Sequence, residues 1–175
     1  MKIIRNIISL PFILLFVASF NVLAKQDIKP IISVAISNTP PYAIVTPFQE
    51  PKALIIDIFK HLSVLLNFTV RPVECPLPRC LKLLKSGHVD AIGNLILTPE
   101  RKKSLNFIQP AYMELHSSFI FYALKGYDFN VDRYSDLYGK RIGVTRGAAY
   151  FKKFDNDLDL QKISVLDETR TYDML

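Results

Sequence analysis

Several features of enzymes and nucleic-acid-binding proteins are missing from this 175-residue sequence. The 22 basic and 16 acidic residues are spread along the chain, and no block of like charge indicates a surface for nucleic acid. The three histidines, His61, His88 and His116, are scattered and lack the spacing of metal ligands. The sequence also lacks a phosphate-binding loop, a nucleophile paired with a base, and two carboxylates at a catalytic spacing. We therefore expect no metal, no cofactor and no enzymatic activity.

The N-terminus has the pattern of a secretory signal peptide. Lys2 and Arg5 supply positive charge, residues 7–20 form an apolar run, and residues 22–24, Val-Leu-Ala, fit the small-residue cleavage site. The run is short for a membrane span, although an uncleaved anchor is the alternative. No cysteine follows it, which argues against a lipid anchor. Cleavage would remove two of the 22 basic residues and none of the 16 acidic ones, leaving a net charge of +4 on a periplasmic protein.

Cys75 and Cys80 are the two cysteines, and they lie close together in the segment CPLPRC. In an oxidising compartment such a pair indicates a disulfide. A metal site would need further ligands, and a redox pair would be expected to have the shorter C-x-x-C spacing. We therefore expect a structural disulfide.

The first half of the chain alternates strand and helix patterns. Residues 31–36 form an apolar run typical of a buried strand, and residues 52–67 carry apolar side chains at helical spacing. Residues 68–73 predict a second strand, in which Pro72 indicates an end or an edge. Residues 79–86 predict a second helix. This alternation is typical of an α/β fold with a parallel sheet.

The stretch from Gly87 to Tyr112 is the most informative about function. It begins with a turn and continues as a buried strand, predicted for residues 89–95. Three residues mark the start of a following helix: Thr98 is a good N-cap, proline suits the next position, and glutamate adds negative charge to the first turn. The free N–H groups at a helix start can bind an anion, and Arg101 can hold a carboxylate with two parallel hydrogen bonds. An ordinary capped helix with a solvated arginine is the alternative.

The second half begins with an aromatic-rich, extended segment at residues 115–124. Further along, the patterns predict a loop with a short helix at 126–138, strands at 141–144 and 163–166, and helices at 148–154 and 167–175.

These motifs resemble the signature of the bacterial extracellular solute-binding proteins, which bind amino acids and similar small polar solutes. The resemblance runs from about residue 31 to the last residue. It rests on G-x-x-D-A-I, T-x-E-R and F-x-x-P-x-Y in the central stretch, T-P-P-Y at 39–42 and L-Y-G-K-R-I-G-V at 137–144. It implies an α/β fold of two lobes with parallel-rich sheets and the ligand between them. The expected divisions are a first lobe at 25–114, a crossover at 115–124 and an incomplete second lobe at 125–175.

The resemblance also implies which residues hold the ligand. In the family, the arginine of T-x-E-R binds the ligand's carboxylate, and Arg101 stands at that position. Thr98 caps the helix that positions this arginine. Asn94 stands where a backbone carbonyl contacts the ligand.

Other positions of the implied site depart from the family's pattern. Ile96 replaces a residue with a hydroxyl donor, and Thr39 replaces an aromatic residue that stacks on the ligand. Ala148 and Ala149 stand where threonine or glycine is often found, although their backbone N–H groups can still bind. These departures weaken the case for a standard α-amino acid and leave another small carboxylate open.

The remaining prominent residues have structural interpretations. Tyr42, Phe107 and Tyr112 are predicted to be core aromatic residues rather than ligand contacts. Asp57 is predicted to cap or pair locally, and Asp90 to anchor the turn into its strand.

The resemblance implies a periplasmic protein that delivers a small polar solute to an inner-membrane ABC-type transporter or reports it to a sensor. One alternative is an enzyme on the same scaffold, such as a dehydratase. Another is a truncated remnant that binds nothing, because chains of the family continue beyond this length to a late acidic residue that binds the ligand's ammonium group.

We expect the exported protein to begin at Lys25, because the charged start, the apolar run and the small residues at 22–24 together direct cleavage after Ala24. N-terminal sequencing of the periplasmic fraction checks this. An intact Met1 in a membrane pellet would contradict it.

Overall fold

The computed structural model describes residues 28–114, 119–126 and 130–174. The predicted signal peptide at residues 1–24 and part of the predicted crossover therefore lie outside the described residues. Among the helices of the described ranges, none has the length and apolar character needed to cross a membrane.

The described elements alternate between strands and helices along most of the chain. The strands are β1 Ile31–Ile36, β2 Ala43–Ile44, β3 Lys52–Ala53, β4 Thr69–Glu74, β5 Ala91–Ile92, β6 Arg141–Thr145 and β7 Gln161–Val165. The α-helices are α1 Leu54–Leu66, α2 Leu77–Lys85, α3 Pro99–Lys102, α4 Lys152–Asn156 and α5 Thr169–Tyr172, and Tyr134–Leu137 form a 3-10 helix.

Strand β1 is the centre of the first sheet, which has the strand order β4-β1-β5. Both neighbours run parallel to β1, with Ile31 opposite Thr69 and Val34 opposite Ala91. The end of β1, from Val34 to Ile36, is fully buried, as expected for a parallel strand covered on both faces. The prediction of a parallel α/β sheet is therefore confirmed.

Two helices cover the two faces of this sheet. Val34 and Ile36 point to one face, where they pack with Ile55 and Ile56 of α1. Ala35 points to the other face and belongs to the cluster that contains Cys80 of α2. Successive side chains of a strand point to opposite faces, so β1 contributes to both clusters. Burying a side chain such as that of Ile56, which has no exposed surface, contributes about 1.5–3 kcal/mol.

The predicted disulfide between Cys75 and Cys80 is present. It joins the end of β4 to α2, and both cysteines are buried in the second cluster. The bridge therefore ties the helix to the edge strand of the first sheet.

The second sheet pairs β6 and β7 in parallel, with Arg141 opposite Gln161. The buried cluster around this sheet consists of Leu137, Val144, Phe154 and Leu160. The aromatic segment predicted to cross between the lobes packs here, since the ring centroid of Phe121 lies 5.9 Å from that of Phe154. A smaller antiparallel pair, β2 with β3, completes the described strands.

Several predicted boundaries shift in the structure. Helix α1 starts at Leu54 rather than at residue 52, because Ala53 pairs with Ala43 in the antiparallel ribbon. The predicted strand at 89–95 is reduced to Ala91–Ile92. At Gly93 a Cβ would lie 2.6 Å from the Cβ of Ile55, so the backbone there presses against α1 and leaves the sheet.

The helix predicted at 148–154 instead spans Lys152–Asn156. The residues before it form a loop that is held by the Asp155 carboxylate, which accepts hydrogen bonds from the Tyr150 N–H at 3.1 and 3.2 Å. Side-chain acceptors of this kind compete with the helical hydrogen bonds of the preceding turn.

Asp90 anchors the start of β5, as predicted from the sequence. Its carboxylate accepts a 2.7 Å hydrogen bond from the N–H of Ser33, and its own N–H donates to the Ser33 carbonyl at 2.8 Å. Ser33 is only 3% exposed, and its hydroxyl accepts from Arg71 Nη2 at 2.8 Å. The Asp90 side chain therefore satisfies a donor that water does not reach.

We expect Asp90→Ala to lower the free energy of unfolding by about 1–3 kcal/mol, because it leaves the buried N–H of Ser33 without an acceptor. Asp90→Asn is the matched control, since its amide oxygen can still accept, and it should cost clearly less. Denaturant titration of both variants checks this. Equal losses of unfolding free energy in the two variants would show that the hydrogen-bond acceptor at position 90 does not account for the destabilisation.

Candidate functional site

The candidate residues lie where strands of the first sheet end. The chain passes from β1 to β4 on one side of it and then returns to β5 on the other side. Thr39 follows β1, and Asn94 follows β5. Ligands of open parallel sheets bind beyond the carboxyl ends of strands where the strand order reverses in this way. The topology therefore places both residues at the expected position for a binding cleft.

Asn94 links the loops that follow β1 and β5. Its side-chain amide donates to Thr39 Oγ1 at 3.3 Å, and its side-chain oxygen accepts from the hydroxyl of Tyr112 at 2.7 Å. The same hydroxyl accepts from the Asn94 backbone N–H at 2.6 Å. Asn94 has a φ of 54°, in the left-handed region that asparagine tolerates better than most residues. Its side chain thus organises the loops rather than pointing free toward a ligand.

Thr98 caps helix α3 as predicted. Its hydroxyl oxygen accepts a 3.2 Å hydrogen bond from the N–H of Arg101. Proline at the first helical position and Glu100 in the first turn complete the predicted start. The helix has only four residues, from Pro99 to Lys102, so the cap and the side-chain contacts of Arg101 add to a small number of backbone hydrogen bonds.

The Arg101 guanidinium bridges the two halves of the structure. Nη1 donates to the carbonyl of Ile96 at 2.6 Å, and Nη2 donates to the carbonyl of Gly147 at 2.8 Å. Gly147 follows β6 of the second sheet. Burial lowers the pKa of Arg101, while the negative charge of Asp155 opposes that effect. Arginine remains charged under such conditions, so the bridge places a positive charge between the two sheets.

Gly147 also makes a close approach to the first sheet's helices. Its φ is 77°, and a Cβ at this position would lie 3.4 Å from Cγ of Pro78 at the start of α2. Such a Cβ would make an ordinary van der Waals contact, so glycine is favoured at this turn by the left-handed backbone rather than by a lack of space.

The alanines after this turn differ in what they offer. The N–H of Ala148 donates to the carbonyl of Thr145 at 3.1 Å and is occupied. Within the described ranges, the N–H of Ala149 has no hydrogen-bond partner, and the residue is half-buried. Of the two predicted donors, Ala149 is therefore the one available to a ligand.

Sequence reasoning missed the role of Tyr112. It was expected in the core, but it is 45% exposed and its hydroxyl contacts Asn94. Tyr42, also expected in the core, is 39% exposed, whereas Phe107 is half-buried.

The contact between Arg101 and the Gly147 carbonyl was also not predicted, since backbone carbonyls leave no signal in a sequence. The paired tyrosine and asparagine residues, 18 positions apart, could not be linked without the fold.

Two hollows lie away from these residues. One, of about 400 Å³, is lined by residues 119–123, Asn130 and Val131. The other, of about 370 Å³, lies beside α3 and is lined by Leu97, Lys102, Leu105, Asn106, Phe107 and Gln109. Neither is lined by Arg101 or Asn94. In the part of the chain that the structure describes, no group of three His, Cys, Asp or Glu residues could hold a metal.

The first sheet and the two helices that cover it define an α/β protein, in which the Arg101 guanidinium contacts one carbonyl that follows β5 and another that follows β6. The sequence matches the bacterial extracellular solute-binding proteins, family 3, over residues 32–168, and the chain belongs to that family. The comparison with curated protein sequences found no match.

Solved structures of similar fold include several binding proteins. A mutant of arginine-bound ArgBP from T. maritima is 21% identical with a TM-score of 0.67, and the alignment covers 83% of this chain and 68% of that one. An ancestral arginine-binding protein bound to arginine is 21% identical with a TM-score of 0.64, covering 85% and 66%. The solute receptor for L-cysteine of Neisseria gonorrhoeae is 22% identical with a TM-score of 0.63, covering 83% and 59%. These likenesses establish the fold, and the chain spans about two thirds of the length of such structures.

We expect Thr98→Ala to speed hydrogen exchange at the Arg101 amide, because the capping acceptor is lost and such caps contribute about 1 kcal/mol. Thr98→Ser keeps an acceptor and should exchange at close to the original rate. NMR-detected exchange of the amides of α3 checks this. A Thr98→Ser variant that exchanges as fast as Thr98→Ala would rule out the hydroxyl cap as the cause.

Proposed function

We propose that the protein is an exported, non-enzymatic solute-binding protein that holds a small polar ligand with a carboxylate group, such as an amino acid, between its two sheets. The bridging position of the Arg101 guanidinium is the observation that carries this proposal. In this proposal the first lobe spans residues 25–114, the crossover 115–124 and the second lobe 125–175.

The donors of Arg101 suit a carboxylate. A guanidinium has five N–H donors, and the contacts with the carbonyls of Ile96 and Gly147 use two of them. The remaining donors can form two parallel hydrogen bonds to one carboxylate. Because the two protein contacts hold the guanidinium plane at both sides, a ligand would bind to an arginine that has already lost most of its freedom. Partial burial strengthens such a charge-assisted contact relative to one in open water.

Backbone groups of residues near Arg101 in the proposed site can bind the other polar atoms of a small zwitterionic ligand. The N–H of Ala149 can add a hydrogen bond to the carboxylate from the second lobe. The carbonyl of Asn94 can accept from an ammonium group on the first lobe's side. Ile96 contributes its carbonyl to Arg101, and its side chain, 38% exposed, adds an apolar edge in place of a hydroxyl. Thr39 positions Asn94 through its hydroxyl rather than stacking on a ligand.

Closure of the two lobes follows from this arrangement. A two-lobe protein shifts toward its closed state when the ligand makes contacts with both lobes. Arg101 and Gly147 already approach each other across the cleft, so a carboxylate held by Arg101 and Ala149 would stabilise the same approach. A closed, ligand-bound form is the state that a membrane transporter of the ABC type or a sensor would recognise in the periplasm.

The relatives support an amino acid as the first ligand class to test. The structures similar in fold include arginine-binding proteins, an L-cysteine receptor and the substrate-binding protein of an amino acid ABC transporter. The charge of +6 on the whole sequence does not oppose an anionic or zwitterionic ligand.

We expect Arg101→Ala to weaken binding of a carboxylate ligand at least about 30-fold, which corresponds to about 2 kcal/mol for a lost charge-assisted contact. Arg101→Lys should weaken it less, because a lysine keeps the charge but cannot form the two parallel hydrogen bonds. Calorimetric titration of a panel of amino acids and small carboxylates against each variant checks this.

Lys102→Ala is the matched control, since Lys102 is an exposed cation in the same short helix. It should leave affinity nearly unchanged if the effect belongs to the site rather than to general attraction. Equal affinity of wild type and Arg101→Ala would remove Arg101 from the site. A wild-type chain that binds no member of the panel would favour the alternative of a non-binding protein.

A further inference from the structure

The hydroxyl of Tyr112 makes both of its strong hydrogen bonds to one residue. It accepts from the backbone N–H of Asn94 at 2.6 Å and donates to the side-chain oxygen of Asn94 at 2.7 Å. These two bonds close a ring that contains both the backbone and the side chain of Asn94. A residue held at both points cannot rotate its backbone without breaking one of the bonds.

Asn94 is the residue that needs such a restraint. Its φ of 54° lies in the left-handed region, which costs a non-glycine residue free energy unless surrounding contacts favour it. Its side-chain nitrogen donates one of its two hydrogens to Thr39 Oγ1 at 3.3 Å, so the backbone N–H, the side-chain nitrogen and the side-chain oxygen each have a partner. Across the described ranges, the polar group of Asn94 that receives no hydrogen bond is its backbone carbonyl.

The Asn94 carbonyl lies in the same loop as the carbonyl that contacts the Arg101 guanidinium. Asn94 lies two residues before Ile96, whose carbonyl contacts the Arg101 guanidinium at 2.6 Å. A free carbonyl is an acceptor, so its partner on a ligand must be a donor. A carboxylate on Arg101 and a donor on the Asn94 carbonyl together describe a zwitterion.

We propose that Tyr112 is a positioning residue that selects ligands with an ammonium group. Its hydroxyl holds Asn94 in the left-handed conformation and thereby fixes the direction of the Asn94 carbonyl, the acceptor for that ammonium. This role rests on the proposed function, because it requires a ligand whose carboxylate is bound by Arg101. Tyr112 itself does not contact the ligand in this role.

The exposure of Tyr112 separates this role from a packing role. The residue is 45% exposed, so its hydroxyl does not fill a gap in the core. Tyr112→Phe keeps the ring and removes only the two hydrogen bonds. Water can replace both partners at an exposed position, and the folded chain should therefore tolerate the change.

The test compares an amino acid with its des-amino analogue, which has the same side chain and carboxylate but no ammonium group. We expect Tyr112→Phe to weaken binding of the amino acid about five- to tenfold, and to change binding of the analogue less than about twofold. Arg101→Ala should weaken both ligands. Tyr122→Phe is the control: Tyr122 is 65% exposed, its ring packs against Tyr172, and its hydroxyl has no hydrogen bond within the described ranges.

A measurement without ligand tests the restraint directly. In Tyr112→Phe, the Asn94 amide should exchange with solvent several-fold faster, and the side-chain amide resonances of Asn94 should move, while amides of β1 stay unchanged. NMR of the wild type and the variant reads both. Unchanged Asn94 signals would overturn the role of Tyr112 whatever the ligand.

The binding outcomes separate the two proposals. Arg101-dependent binding that Tyr112→Phe weakens equally for both ligands, or not at all, would overturn the role of Tyr112 and leave the proposed function standing. A wild-type chain that binds neither ligand would overturn both proposals together. A selective loss for the amino acid, with faster exchange at Asn94, would support the role.

Discussion

The burial of strand β1 is the constraint on which the rest of the described structure depends. Its residues from Val34 to Ile36 contribute to hydrophobic clusters on both faces, and its neighbours occupy both edges. A strand enclosed in this way needs every backbone group paired, and the carboxylate of Asp90 supplies the acceptor for Ser33 where the ladder does not. Because β1 cannot shift without exposing two clusters, the loop after it holds Thr39 at a constant place beside the loop after β5.

The candidate site residues lie where the chain leaves that frame for irregular structure. Strand β5 ends after Ile92 because the backbone at Gly93 meets Ile55, and Asn94 then turns the chain in a left-handed conformation. The chain continues to the Thr98 cap and to Arg101. Asn94 and Arg101 are held by contacts with residues distant in sequence, Thr98 caps its own short helix, and none of the three is part of a long helix or strand. Binding residues are often found on loops positioned by a rigid scaffold, which is why these positions are candidates for the proposed site.

Arg101 follows β5 of the first sheet, whereas Gly147, whose carbonyl it contacts, follows β6 of the second sheet. The contact of Arg101 with the Gly147 carbonyl therefore depends on how closely the two sheets approach each other. Gly147 holds the turn at this contact in a left-handed conformation, with a φ of 77°. A ligand that binds to the same guanidinium couples its own binding to this approach, which is the physical basis for lobe closure in the proposed function.

The amino-acid sequence by itself determined the features that depend on residues close together in the chain. Apolar periodicity predicted the parallel α/β sheet, the spacing of Cys75 and Cys80 predicted the disulfide, and the order of Thr98 and the residues after it predicted the cap. Only the tertiary structure decided that β5 is short and that the Tyr112 hydroxyl forms hydrogen bonds with Asn94. It also decided that Arg101 reaches a carbonyl 46 residues away. Those features depend on contacts between backbone groups and side chains that are distant in sequence, and such contacts form only after the hydrophobic clusters have brought the loops together.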